Sequence, residues 1–166
     1  MTHEARRPVT AQPVLHIGAQ QTVVLTGTAV EPQALPLAIG SVRTAAECFG
    51  HSPPSPDELE AAIMLVEDEL SRVPAIAAPQ ATIVAPAAFI EAIGRSAGLA
   101  DGAVSVLSLD QAERLFDLLA ALSMGRPAAS AGIPADPQFA ATLLILRESM
   151  HHLKFASVRL EAAASA

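Results

Sequence analysis

Few side chains in this chain could carry chemistry, and their spacing says which kinds. Cys48 is the single thiol, with His51 three residues on. A cysteine nucleophile needs a base within hydrogen-bond reach in space. This pair is close in sequence only, and a lone cysteine reads first as a small buried apolar residue. Glu148 and His151 have the Glu-x-x-His spacing of a carboxylate-bridged metal site. Such a site needs a second pair and two further carboxylates from facing helices; the sequence holds no second pair, so no metal is expected. His151 and His152 are adjacent and point to different helix faces, which suits a solvated helix end near the negative pole of the dipole. Asp101-Gly102 is a turn signal. Ser41 and Arg43 open a helix, where packing accounts for them as well as ligand binding does.

The elements that must hold these residues are marked by punctuation and periodicity. Val14, Leu15 and Ile17, a turn around Gly18 to Gln21, the β-branched run Thr22-Val-Val-Leu-Thr26, a turn at Gly27 and a run from Ala34 to Ile39 predict a three-stranded meander. Gly40-Ser41 opens a short helix through Phe49, and the proline loop from His51 to Pro54 stops it. Ser55, with Pro56 at the first helical position and Glu58 three residues after the cap, predicts a helix with Leu59, Ile63, Val66, Leu70 and Val73 on one face. Pro74 to Pro79 links it to a buried strand, Ala81-Thr-Ile-Val84, and a helix follows from Ala87 to about Ser96. A second capping box, Ser108 with Gln111, starts a helix with Leu115, Leu118, Leu119 and Leu122 inside. Gly125 to Ala135 is a loop. Asp136-Pro137 then starts a long helix carrying Phe139, Leu143, Leu146 and Met150, and Lys154 to Leu160 reads as a last strand. The order predicts an α/β fold, a mixed sheet of about five strands with helices packed against it. A single domain is expected over 13–160, between a tail at 1–12 and a frayed end at 161–166.

Composition narrows the partners. The chain has 166 residues, 51% hydrophobic and 16% charged, with a net charge of −7. That length can bury one continuous core, and the apolar balance leaves surface for a partner to cover. The acidic charge and scattered arginines oppose binding to nucleic acid. Pro36, Glu47, Pro79, Pro86 and Glu91 interrupt every apolar stretch before the roughly 20 residues of a membrane span. One cysteine forms no internal disulfide, so a cytoplasmic location is expected.

Two stretches resemble a known family. His16-Ile-Gly-Ala-Gln-Gln-Thr22 is similar to the Asp-Ile-Gly-Gly-Gly-Ser-Thr strand and turn of the exopolyphosphatase and guanosine pentaphosphate phosphohydrolase (Ppx/GppA) family. Leu35-Pro-Leu-Ala-Ile-Gly-Ser-Val-Arg-Thr44, with Glu47 beyond it, resembles that family's Leu-Pro-Leu-Gly-Ala-Val-Arg-Leu-Thr-Glu. Ser108 falls where a helix cap of the family would sit, and Ala131-Gly-Ile-Pro134 looks like its Pro-Gly-Leu loop. The resemblance covers about residues 13–160 and implies the second half of an actin-like (ribonuclease H-like) core. The family's first half, with its own phosphate loop and catalytic carboxylate, has no counterpart here.

The resemblance also implies a dismantled site. Ala19, Gln20 and Gln21 follow Gly18 where the family carries Gly, Gly and Ser, and each added Cβ restricts the backbone and crowds an anion. His16 replaces the metal-binding Asp, and imidazole is a poor Mg²⁺ ligand. The second turn, Gly-Gly-Thr in the family, corresponds to Ala85-Pro86-Ala87, where Pro86 removes a donor. Pro137-Gln138-Phe139 replaces an Arg-Ala-Asp.

The expectation is therefore a degenerate phosphatase-like domain with no catalytic residues and no cofactor, assembling as a homodimer or with a separate protein that covers an apolar face. One alternative is a polyphosphate or guanosine pentaphosphate hydrolase completed in trans by a first-half subunit, which would use Mg²⁺. Another is a module that binds phosphate or nucleotide through Gly18 and Thr22 without turnover.

Overall fold

A computed structural model describes residues 11–100 and 105–164. The expected turn at Asp101-Gly102 and most of the expected tail at 1–12 lie outside the described residues. Twelve elements follow in order: β1 Val14–Ile17, β2 Thr22–Gly27, β3 Pro32–Leu37, α1 Ser41–Cys48, α2 Pro56–Leu70, β4 Gln80–Ala85, α3 Ala87–Ser96, β5 Ser105–Ser108, α4 Leu109–Ser123, α5 Ala128–Ala131, α6 Pro137–Leu153 and β6 Ser157–Ala162. The strands form one mixed six-stranded sheet in the order β3-β2-β1-β4-β6-β5. β1, β4 and β6 run parallel; β2 and β3 form the antiparallel meander on one side, and β5 runs antiparallel to β6 on the other. The sixth strand is β5, four residues directly ahead of the Ser108 cap.

Local chemistry sets the helix starts. At α2 the Ser55 side chain accepts from the Glu58 N–H while the Glu58 carboxylate accepts from the Ser55 N–H, and Pro56 fills the first turn, where no amide is needed. Ser108 and Gln111 make the same reciprocal pair at α4. Asp136 accepts from the Gln138 N–H at α6. At the other end of α6, Lys154 takes a left-handed cap at φ 61°, so the expected strand from Lys154 begins at Ser157 and runs on through Ala162.

Strand alternation gives the sheet two unlike faces. Leu15, Ile17, Val24, Leu37, Ile83, Val158 and Leu107 point into one core, and α1, α2 and α4 all pack against α6 over it. α6 is buried nearly all round, including Ala140, Ala141, Leu144 and Ile145 beside the expected Phe139, Leu143, Leu146 and Met150. A helix apolar on every side belongs in the middle of a core. α3 joins through Phe89, whose ring meets Phe139 edge-on at 6.4 Å.

The other face carries the alternate residues. The register aligns Ala34, Leu25, Val14 and Thr82 across β3, β2, β1 and β4, and Pro36, Val23, His16 and Val84 beside them. Thr82 at the centre is buried, Val14, Val23 and Val84 are partly exposed, and Leu25 (40%) and Val106 (47%) are exposed. His16 on central strand β1, and Arg159 and Glu161 on β6 beside β4, are also exposed on this face, so polar side chains stand among the apolar ones across it. At the sheet's edge, β3 carries prolines at 32 and 36.

Candidate functional site

In a mixed α/β sheet, ligands bind beyond the carboxyl ends of the parallel strands. Those ends here are the Gly18–Gln21 turn after β1, Ala85-Pro86-Ala87 after β4, and Ala162 at the end of β6. Both turns singled out in the sequence therefore lie at one end of the sheet, on neighbouring strands.

The first turn is closed on itself and against α1. The Gly18 N–H donates to the Gln21 carbonyl at 2.9 Å. The Ser41 N–H donates to the Gly18 carbonyl, and those of Val42 and Arg43 to the Ala19 carbonyl, each at 3.0 Å. The first-turn amides of a helix are the groups that would grip an anion; here backbone carbonyls of the turn occupy them. Gly40 makes this approach possible. A Cβ there would meet the Ala19 carbonyl oxygen at 2.5 Å and the Gly18 carbonyl oxygen at 2.8 Å. Thr22 is fully buried and its hydroxyl donates to the Ile39 carbonyl at 2.9 Å, a tie between strand end and helix entry. Ala19, Gln20 and Gln21 are exposed.

The second turn has little to offer an anion. Pro86 is the residue before α3 and makes no side-chain cap, Ala85 is fully buried, and its carbonyl accepts from the Ala163 N–H at 2.8 Å. His16 lies on the open sheet face between Val23 and Val84.

The remaining candidates are held elsewhere. Arg43 pairs with Glu47 at 3.1 Å one helical turn on. Burial, aided by the Glu47 charge, pushes the Cys48 thiol up, the wrong direction for a nucleophile. His51 turns its Nδ1 to Glu58 at 2.7 Å. The backbone N–H of Ser55 first, and then His51 and the Gly50 N–H, hold the Glu58 carboxyl down at about 2. Ser41 is buried and its amide is the one bonded to Gly18.

Glu148 and His151 belong to a charged cluster across three helices. Arg147 donates to Glu148 at 2.6 Å and twice to Glu113, at 3.1 and 3.2 Å, with its guanidinium 4.0 Å over the Phe116 ring. His151 bonds the other oxygen of Glu113. Burial works to raise the Glu113 carboxyl, and the bonds to His151 and Arg147 outweigh it, leaving it lowered. Desolvation raises buried Glu148, with the Glu67 charge adding to it against Arg147. Among the described residues no three His, Cys, Asp or Glu side chains are placed to hold a metal ion. Sequence reasoning missed Glu113 and Arg147, which lie 34 residues apart; it read Gly40 as part of the helix opening but not as the point where the Gly18 and Ala19 carbonyls come close.

No helix among the described residues is long and apolar enough to cross a membrane. No protein-family model and no curated protein matches the chain. Solved structures do. The Aquifex aeolicus PPX-GPPA enzyme superposes with a TM-score of 0.69 at 18% identity, over 90% of this chain and 52% of that one. An exopolyphosphatase-like protein gives 0.67 at 17% identity, over 97% and 58%. An exopolyphosphatase from Cytophaga hutchinsonii gives 0.61 at 13%, over 91% and 53%. The chain thus has the α/β fold of the Ppx/GppA exopolyphosphatase structures and spans about half their length.

Proposed function

We propose that this chain is a non-catalytic Ppx/GppA-like domain that associates with a second copy of itself through the open face of its sheet. The observation that carries the reading is that face: Val14, Val23, Leu25 and Val84 are partly or fully exposed on it, with His16 between Val23 and Val84. Six strands about 4.8 Å apart and some 20 Å long present about 500 Å². Two such faces stacked about 10 Å apart remove about 1,000 Å² from water, the lower bound for a specific interface. The closed turn supports the non-catalytic part, since transition-state stabilisation of phosphoryl transfer needs free donors aimed at the anion, and the α1 amides already have carbonyl partners. A single thiol, with no second cysteine to form an internal disulfide, suits a reducing, cytoplasmic setting.

Size exclusion with light scattering at micromolar concentration tests the assembly. A dimer is expected, and Leu25→Glu is expected to give a monomer with unchanged circular dichroism, because Leu25 lies outside the helix-covered core. A monomeric parent chain sinks the reading; a heteromer recovered in its place assigns the face to another protein.

The share of the similar structures that the chain spans favours a second reading, a phosphoanhydride hydrolase completed by a separate first-half subunit with Mg²⁺. Phosphate release from polyphosphate with Mg²⁺, with and without a co-purified partner, separates the two. Release that requires the partner establishes the second reading.

A further inference from the structure

His16 stands in the middle of the open sheet face. Its strand, β1, is the third of six across the sheet. The ring is exposed, and no hydrogen bond or ion pair joins it to another described residue. The register puts Val23 of β2 on one side of it and Val84 of β4 on the other, with Leu25 and Thr82 on the diagonals. Val14 and Gly18 lie two residues away along β1 itself. None of these neighbours carries a charge.

The charges that could answer a protonated ring are few. Besides His16, the strands hold two charged side chains, Arg159 and Glu161, both on β6. Glu161 falls in the same row as His16 and Val84, two strand spacings or about 10 Å from the ring, and Arg159 two residues before it matches its charge. α1, bonded to the turn that follows β1, carries Arg43 and Glu47, which pair with each other.

We propose that pairing of two copies through this face is released by mild acid, with His16 as the group that senses it. The inference rests on the dimer reading and adds its regulation. A second copy laid over the face takes both His16 rings out of water. A neutral imidazole tolerates that setting, whereas an imidazolium loses its hydration and gains no free anion. However the two faces are turned, each Arg159 is matched by one Glu161, so protonating His16 leaves a positive charge uncompensated in each half of the interface. Histidine is the side chain whose charge changes between about pH 5 and 8.

Sedimentation equilibrium with interference optics tests this, since the chain has no tryptophan or tyrosine. At about pH 6 some three quarters of ordinary imidazoles are charged, so shedding two protons should raise the dimer dissociation constant about fifteenfold over its value at about pH 8. His16→Gln and His16→Leu remove the titrating ring and are expected to lose most of that ratio, while the His51 and His151 rings titrate in parent and variants alike. Circular dichroism of all three proteins is expected to be unchanged between the two pH values. A parent chain that is monomeric at both overturns the dimer reading and this inference with it. A parent dimer with one dissociation constant at both overturns this inference alone. So do variants that keep the full ratio or fail to pair at about pH 8, and so does a parent that loses helix signal in the acid.

Discussion

Replacing Gly40 with alanine should open the joint between the β1–β2 turn and α1. The new Cβ would lie 2.5 Å from the Ala19 carbonyl oxygen, which would have to retreat by about 0.9 Å to reach the 3.4 Å of ordinary contact. The obstacle is backbone on all sides, since the Ala19 carbonyl carbon and the Gly18 oxygen both stand at 2.8 Å. Overpacking of this kind costs about 1–3 kcal/mol. The same displacement lengthens the three 3.0 Å bonds from Ser41, Val42 and Arg43, each contributing about 1 kcal/mol net. A total near 3 kcal/mol is a large part of a typical domain's stability and corresponds to a fall of about 6–12 °C in Tm for a chain of this size. The chain has no tryptophan or tyrosine, so far-ultraviolet circular dichroism is the appropriate monitor. Gly94→Ala is the matched control: it lies within α3 with nothing inside 4 Å of its added Cβ, and should stabilise by about 0.5–1 kcal/mol. A Gly40→Ala protein melting within about 2 °C of the parent would refute the close approach, and with it the argument that the turn is closed to anions.

Further outcomes follow from the caps and the charged cluster. Ser55→Ala removes the acceptor of the Glu58 N–H and should cost about 1 kcal/mol in urea melts. Glu58 is lowered from 4.5 to about 2, so its contribution is present above the ordinary carboxylate range and lost as pH falls toward 2; the Tm gap between the parent and Glu58→Gln should close over that interval. Glu148 is raised by desolvation, so its contribution is complete in acid and lost as pH rises through its folded pKa. Glu148→Gln should therefore equal or exceed the parent Tm at neutral pH, Arg147 keeping Glu113 and Phe116, and lose that advantage in acid. A marked loss at neutral pH would instead make the Arg147 pair the stronger effect.

How much of this was legible in the sequence depended on distance along the chain. Ser55 with Glu58 and Ser108 with Gln111 are reciprocal pairs three residues apart, and both caps stand where the sequence put them. β3 begins at Pro32 and not Ala34 because an edge strand tolerates proline. It ends at Leu37 because Ile39 has already turned to offer its carbonyl to Thr22. β5 is too short to carry a period and exists through pairing with β6, which is some 50 residues on in sequence. At the candidate site, the substituted turns and Pro86 could be read from residue types. The carbonyls that fill the α1 amides could not, because they come from the other side of a hairpin. Glu113 was invisible for the same reason, its partner Arg147 lying on a different helix.

The prolines at 32 and 36 bear on how this protein can multiply. They sit on the sheet's outermost strand, and an edge lacking two amide donors is a poor template for a neighbouring chain to extend. Strand-by-strand growth into a fibre is therefore discouraged from that side, whereas contacts made broadside close after two copies.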